Sequence, residues 1–367
     1  MRKIHRRQPA GSAPTRAVTA LLCLVVATST GCRRSVGPKT MVPDRREYSV
    51  SLSDSWKEQT LLNIVKLRYL DPPIFVDVGN IVASYSLETN ASVEATFPTD
   101  KAFTLGAGGT FSNNPTITYT PLTGSKFIQS LMTPLPPESI FFAIQSGLAA
   151  DAILFATVSS VNGVKNDSAT LTSASTADPA FHQLRALIRR IQLSGAVRFD
   201  VTRRADNTPA SVMAFRTSDV SEQTLKDIAE VRRLLKLDPD ATEFTIVFGA
   251  VSTNGREIAL QTRSILGVMA TMASQVEVSP DDVRNTRATP GCQRGMVDTG
   301  APRLIRVHSS GTKPAGAFVA VRYRNDWFYI DDGDLPSKQV FSLMMMLFTL
   351  ADTNPRENLP QVTIPAR

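Results

Sequence analysis

From Ile81 to Phe97 the odd positions read Ile, Ala, Tyr, Leu, Thr, Ala, Val, Ala and Phe, whereas Val82 is followed at the even ones by Ser, Ser, Glu, Asn, Ser, Glu and Thr. Successive side chains of a strand point to opposite faces, so alternation over 17 residues predicts a half-buried β-strand. The pattern pauses at "PTDKA" and resumes with Phe103, Leu105, Ala107, Gly109 and Phe111 set against Thr104, Gly106, Gly108, Thr110 and Ser112. It breaks at "NNP" and returns with Ile117 and Tyr119. Together these runs predict a long antiparallel β-hairpin. Its odd face needs a cover, and two kinds compete. Helices or a second sheet can bury it; so can lipid, since a membrane-spanning strand takes about 9–11 tilted residues of this alternation. Open strand edges are not tolerated in hydrocarbon, so lipid burial demands a ring of subunits, each donating one hairpin.

Elsewhere the apolar spacing is helical. Ser53 or Asp54 can cap a helix carrying Trp56, Leu61 or Leu62, Ile64 or Val65, and Leu67, and "DPP" (Asp71–Pro73) stops it at about Leu70. Further helices are expected near Lys126–Met132 and Pro137–Ala149, the second opened by Pro137 and Glu138, followed by a strand over Ile153–Val161. Asn166–Asp178 is rich in Ser, Thr, Ala and Asp and reads as a loop or domain boundary. Beyond it, Phe181, Leu184, Ile188 and Ile191 mark a helix with Arg185, Arg189 and Arg190 mostly outside. "AVRFDVTRR" and "SVMAFR" suggest a hairpin, and Asp219 with Glu222 a capping box for a helix ending at "LDPD" (Leu237–Asp240). "EFTIVFGA" reads as a buried strand, Glu257–Val276 as strand then helix, and Arg303–His308 as the start of the last unit. There Asn325-Asp326 sits between two apolar-aromatic strands, ahead of a helix over about Ser337–Ala351.

Charge changes this picture only at the N-terminus. The formal net charge of +7 includes five basic residues before position 32 and no acid there; the other 35 basic and 33 acidic residues leave about +2. Nucleic acid is therefore not an expected partner. Residues 1–16 are basic, and Ala17–Thr30 is a 14-residue run without charge, the order of a secretory signal. As a helix that run would rise about 21 Å, short of the roughly 30 Å hydrocarbon core.

The run ends in Ser29, Thr30, Gly31 and Cys32, which resembles the lipobox of bacterial lipoproteins, with Ser29 where a large aliphatic residue is usual. The resemblance implies cleavage before Cys32, a diacylglyceryl group on its thiol and a further acyl chain on its amine. Several acyl chains hold a protein firmly at a bilayer where one holds it marginally. Arg33 stands where an Asp would resemble an inner-membrane retention signal, so the resemblance favours the outer membrane.

Candidate chemistry in the body is sparse. "DDGD" (Asp331–Asp334) could suggest calcium, but Leu335, Pro336 and Ser337 do not continue an EF-hand loop, and a turn with a helix cap explains it. His182 and His308 have no partners at metal-ligand spacing, Cys23 and Cys292 make no framework with Cys32, and no nucleophile-elbow motif occurs. "GAGG" (Gly106–Gly109) lies in the alternating strand without a following Lys-Ser/Thr. "LMMMLF" is too short for a bilayer and reads as core.

The segments "NIVKLRYLDPPIFVDV", "PTITYTPLTGSKFIQSLMTPLPPE" and "YRNDWFYIDDGDLPSKQVFSLMMMLFTLAD" resemble a family of uncharacterised (hypothetical) bacterial lipoproteins. That resemblance implies envelope residence and brings no activity, cofactor or site residue. The expected fold is α+β: an N-terminal helix and long antiparallel hairpin, then a mixed antiparallel sheet with helices packed on it. The expected organisation is a signal peptide over 1–31, a tether over 32–50, a helix-and-hairpin region over 51–165, a polar linker over 166–179 and an α+β region over 180–367. Cys32 is the one expected site, for lipid attachment; no catalytic, cofactor or metal residues are expected. The expected role is a non-catalytic structural, assembly or partner-binding component of the outer membrane facing the periplasm, engaging protein partners or its own copies. An oligomeric hairpin pore and a periplasmic hydrolase are the alternatives.

Overall fold

The computed structural model describes residues 41–82, 85–96, 102–113, 115–169, 174–203, 209–289, 291, 303–351 and 362–365. Cys23, Cys32 and Cys292, the signal segment and the first nine residues of the expected tether lie outside them. Helix α1 spans Met41–Arg68, beginning well before the expected cap at Ser53 or Asp54. Nothing between Asp44 and Ser53 breaks a helix, Pro43 falls in the first turn, and Asp44 there suits the positive end. Only its C-terminal half carries a core face: Leu61, Ile64, Val65 and Leu67 are buried, while Val42, Val50 and Leu52 are exposed. Its end is a Schellman-type cap: Leu70 takes a left-handed φ of 59°, and the Asp71 and Leu70 N–H groups donate back to the Lys66 and Leu67 carbonyls.

The long alternation resolves into two ladders rather than one. Ile81 and Val82 end β1 (Phe75–Val82), which pairs antiparallel with β4 (Thr116–Leu122) down to Val82↔Thr116. Between these ends lie β2 (Tyr85–Thr96) and β3 (Ala102–Asn113), a hairpin of 12 consecutive antiparallel pairs without a register shift. Of the expected 17-residue strand, 81–82 belong to β1 and 85–96 to β2, while 83–84 and Phe97 lie outside the described residues. Leu87 stands opposite Phe111, Val93 opposite Leu105 and Ala95 opposite Phe103, so the apolar positions of both strands share register. The chain divides into two compact units, Met1–Ser51 with Tyr85–Asn113, and Leu52–Ser84 with Asn114–Arg367.

In the second unit β4 is the middle strand between β1 and β16 (Val362–Pro365). Helices α2 (Ser125–Met132), α3 (Pro137–Gln145) and α4 (Ala150–Thr157) follow, and then β5 (Val158–Val161). The strand expected over Ile153–Val161 is therefore helix for its first half. Six of the eight α4 residues are buried, so neither alternation nor a helical stripe survives in the sequence to distinguish the two.

A six-stranded sheet runs β6-β5-β12-β11-β10-β9, built from β6 (Val164–Lys165), β9 (Val197–Arg203), β10 (Pro209–Phe215), β11 (Glu243–Phe248) and β12 (Glu257–Thr262) together with β5. Its pairs are antiparallel except β11 with β12. The polar stretch Asn166–Asp178 does not separate two sheets, since β5 before it pairs with β12 after it; within it β7 (Ser168–Ala169) pairs with β8 (Ala174–Ser175). Helices α5 (Pro179–Leu193), α6 (Glu222–Leu235), α7 (Ile265–Ser274) and the short α8 (Pro280–Arg284) follow in chain order. The cap of α6 is Ser221, whose Oγ accepts the Thr224 N–H at 3.1 Å; Asp219 instead takes a left-handed φ of 55°.

The last sheet has the order β13-β15-β14, from β13 (His308–Ser310), β14 (Ala317–Tyr323) and β15 (Asp326–Asp331). Its turn holds Arg324 and Asn325, one residue earlier than expected, with Tyr323 facing Asp326 and Arg324 at φ 55°. Helix α9 (Leu335–Ala351) follows, with Phe341, Met344 and Leu347 in the core. Among the described residues no helix is long and apolar enough to cross a membrane. The architecture is α+β.

Candidate functional site

Gln59 and Asn63 lie four residues apart on α1 and so point the same way. Each amide grips one residue of the β1 segment through both backbone groups. Gln59 Nε2 donates to the Val76 carbonyl at 3.0 Å while its Oε1 accepts the Val76 N–H at 2.6 Å. Asn63 Nδ2 donates to the Ile74 carbonyl at 2.8 Å and its Oδ1 accepts the Ile74 N–H at 2.9 Å. Two side chains thereby do for this sheet edge what a neighbouring strand would do.

Across the groove that this edge borders, a second sheet edge has no such clamp among the described residues. Strand β14 is the outer strand of its sheet and among the described residues pairs with β15 alone. Between it and α1 opens a groove of about 690 Å³, within the range of ligand pockets. Its walls include Glu58, Leu62 and Lys66 of α1, Ile74 and Val76, Lys313, and Ala320, Arg322 and Trp327 of the sheet. A smaller recess of about 270 Å³ shares Glu58, Lys313 and Ala320 with it. Val319 and Val321 turn inward and are buried; Ala320 and Arg322 alternate with them on the open side. Lys313 Nζ sits 5.3 Å from the Trp327 ring centre, and Lys57 and Lys338 cover Phe318 at 5.0 and 5.1 Å, so cations line this flank through their attraction to ring faces. Lys57 is also paired with Asp54 at 2.7 Å. Among the described residues Lys66, Lys313 and Arg322 form no ion pair.

Two other polar clusters hold the unit together. Arg263, 6% exposed, donates through Nη1 to the Phe155 and Ala156 carbonyls at 2.8 and 2.9 Å and through Nη2 to the Asp167 carbonyl. Burial brings its pKa down to about 10, opposed by the nearby Asp167 charge. Asn166 adds donations to the Phe155 and Val158 carbonyls, and Asp167 Oδ1 accepts the Ala177 N–H at 2.7 Å. Arg185, expected outside, lies with its guanidinium 4.2 Å from the Phe155 ring centre. His182 Nδ1 is buried with no hydrogen-bond partner among the described residues, and burial, then Arg185, lowers the ring's pKa. All the acceptors Arg263 reaches are main-chain oxygens, so this cluster ties the Asn166–Asp178 segment to the end of α4.

The second cluster follows α1. The fully buried Arg68 donates to Thr289 Oγ1 at 3.1 Å, and Gly291 lies so close to its guanidinium that a Cβ there would collide with it. Tyr69 donates to Asp282 Oδ2 at 3.0 Å, and burial, with that bond, raises its pKa above the usual phenol range. Arg324 stacks 4.3 Å over Tyr69, and Tyr323 donates its hydroxyl to Asp71. These contacts bind the α1 terminus to α8 with the segment after it and to the last sheet.

The acidic "DDGD" stretch is a turn and cap: Asp331 Oδ1 accepts the Gly333 N–H, and Asp334 accepts both the N–H and the hydroxyl of Ser337. No group of three or more potential ligands is placed to hold a metal among the described residues. His308 Nδ1 meets Glu277 Oε2 at 3.0 Å, and no serine or cysteine bonds to either described histidine. The one expected site residue, Cys32, lies outside the described residues, and apart from Leu62, read as part of an apolar helix face, the groove residues were not singled out from sequence. Only the Gln59/Asn63 spacing on α1 could have hinted at them; Lys313, Arg322 and Trp327 come together with Lys66 from the far end of the chain. Comparison with protein-family models, with curated proteins and with solved structures finds no match to this chain.

Proposed function

We propose that this is an outer-membrane lipoprotein, anchored through acylated Cys32 and facing the periplasm, whose body binds a protein partner without catalysing a reaction. The observation that carries the partner-binding part is the groove beside α1, where an unclamped strand edge meets cations that form no ion pair among the described residues. The anchoring part rests on the uncharged run ending in Ser29-Thr30-Gly31-Cys32. Its test is metabolic labelling with radioactive fatty acid: the wild-type chain is expected to take label and partition with outer membranes, and Cys32→Ser to do neither. Equal labelling of both chains, or of neither, rejects the anchor.

A second reading has its own support. The β2–β3 hairpin has strands of 12 residues, long enough to span a bilayer when tilted, and it clusters apart from the body. In that reading several copies insert their hairpins as one closed barrel.

A further inference from the structure

The groove has an edge, a charge and apolar footholds, and together they select an occupant. Both sheets beside α1 end there, at β1 and β14. The Ile74–Val76 edge is occupied by the Gln59 and Asn63 amides, whereas no described residue bonds to the outer edge of β14. A free edge presents a row of donors and acceptors that an added strand satisfies. The charged residues lining this groove are Lys66, Lys313 and Arg322 against Glu58 alone. The half-buried Leu62 and Trp327 offer apolar contact between those charges.

We propose that β14 receives an extended, acidic segment of a partner protein as a fourth strand of the β13-β15-β14 sheet, with its carboxylates meeting Lys66, Lys313 and Arg322. This deepens the partner-binding reading and rests on it. Charge sets the choice. A second copy docking edge to edge would bring the same three cations toward their equivalents, which costs rather than stabilises. The chain's own segment 33–40 carries Arg33, Arg34 and Lys39 with no acid and meets the same repulsion.

The test uses the full chain in detergent and two labelled ten-residue peptides, one alternating Val with Asp and one alternating Val with Lys. Fluorescence anisotropy at low salt is expected to show the Asp peptide binding at least tenfold more tightly, with the difference shrinking as salt screens it. Backbone amides of 317–323 should gain protection from hydrogen exchange in its presence. Combining Lys66→Glu, Lys313→Glu and Arg322→Glu should remove the preference, and Arg322→Gln alone should weaken it several-fold in a chain whose folding is checked by circular dichroism. Equal affinity for the two peptides, binding of neither, or protection that spares 317–323 overturns the proposal. Labelling of Cys32 reads the anchor independently, so either part can fail without the other.

Discussion

Arg263 shows how one side chain can hold a loop from inside. Its donors supply the carbonyls of Phe155, Ala156 and Asp167, and its fork geometry lets one group reach all three. Arg263→Met removes the donors to the Ala156 and Asp167 carbonyls from a buried site, while Asn166 still serves Phe155. We expect a loss of about 2 kcal/mol or more in urea unfolding, since each buried polar group left unsatisfied costs about 1–3 kcal/mol. Arg263→Lys should recover only part of it, because an ammonium lacks the planar fork. His182 next to this cluster carries a pH signature. Its folded-state pKa lies below the ordinary value, first through burial and then through Arg185. The unfolded chain therefore takes up the proton first as pH falls, near 6.5. The stability linked to His182 is complete above that pH and is lost on acidification toward the folded pKa. Urea midpoints of His182→Gln should accordingly fall less between pH 7.5 and 5.5 than those of the wild type; parallel curves would show that the ring titrates alike in both states.

At the scale of elements, capping decides where α6 starts. Asp219 and Ser221 both have side chains suited to an N-cap, and Glu222 three residues after Asp219 completes an attractive pattern. The chain uses Ser221, because Asp219 is occupied in a left-handed turn at φ 55°. Ser221→Ala should cost about 1 kcal/mol, while Asp219→Asn, which keeps a residue tolerant of that conformation, should stay within about 0.5 kcal/mol. Thermal unfolding of the two variants checks the contrast, and an unchanged melting temperature for Ser221→Ala would remove the cap from Ser221. α4 teaches the complementary lesson. Its residues are buried on nearly every side, and a segment without a polar face shows no period. The hairpin pairs were legible for the opposite reason: half of each strand is polar, so alternation reports the pleat directly.

For the whole molecule, the β2–β3 hairpin is an insertion in a simpler connection. Val82 and Thr116 are partners across the β1–β4 ladder, so their chain ends already lie at hairpin distance. Replacing 83–115 with Asn-Gly, a favoured two-residue turn, should leave a body that unfolds cooperatively with its melting temperature within a few degrees of the parent. Loss of cooperative folding would make the hairpin part of the core. The same variant separates the two functional readings: a hairpin pore requires a discrete ring on detergent sizing that vanishes with the deletion, whereas a groove that binds a partner strand survives it.

Local chemistry along the chain was enough to determine the α+β class, the β2–β3, β9–β10 and β14–β15 hairpins, the Asp331–Asp334 turn and cap, and the expectation of an anchor at Cys32. Each depends on residues within a few positions of one another, or on a period repeated over one element. Tertiary structure alone decided that Gln59 and Asn63 stand in for a strand, that Arg263 reaches the Asp167 carbonyl, and that Lys66, Lys313, Arg322 and Trp327 share a groove. A hydrophobic pattern tells which face of an element turns inward but not which neighbour it meets. The proposed site is made of such meetings between segments distant in sequence.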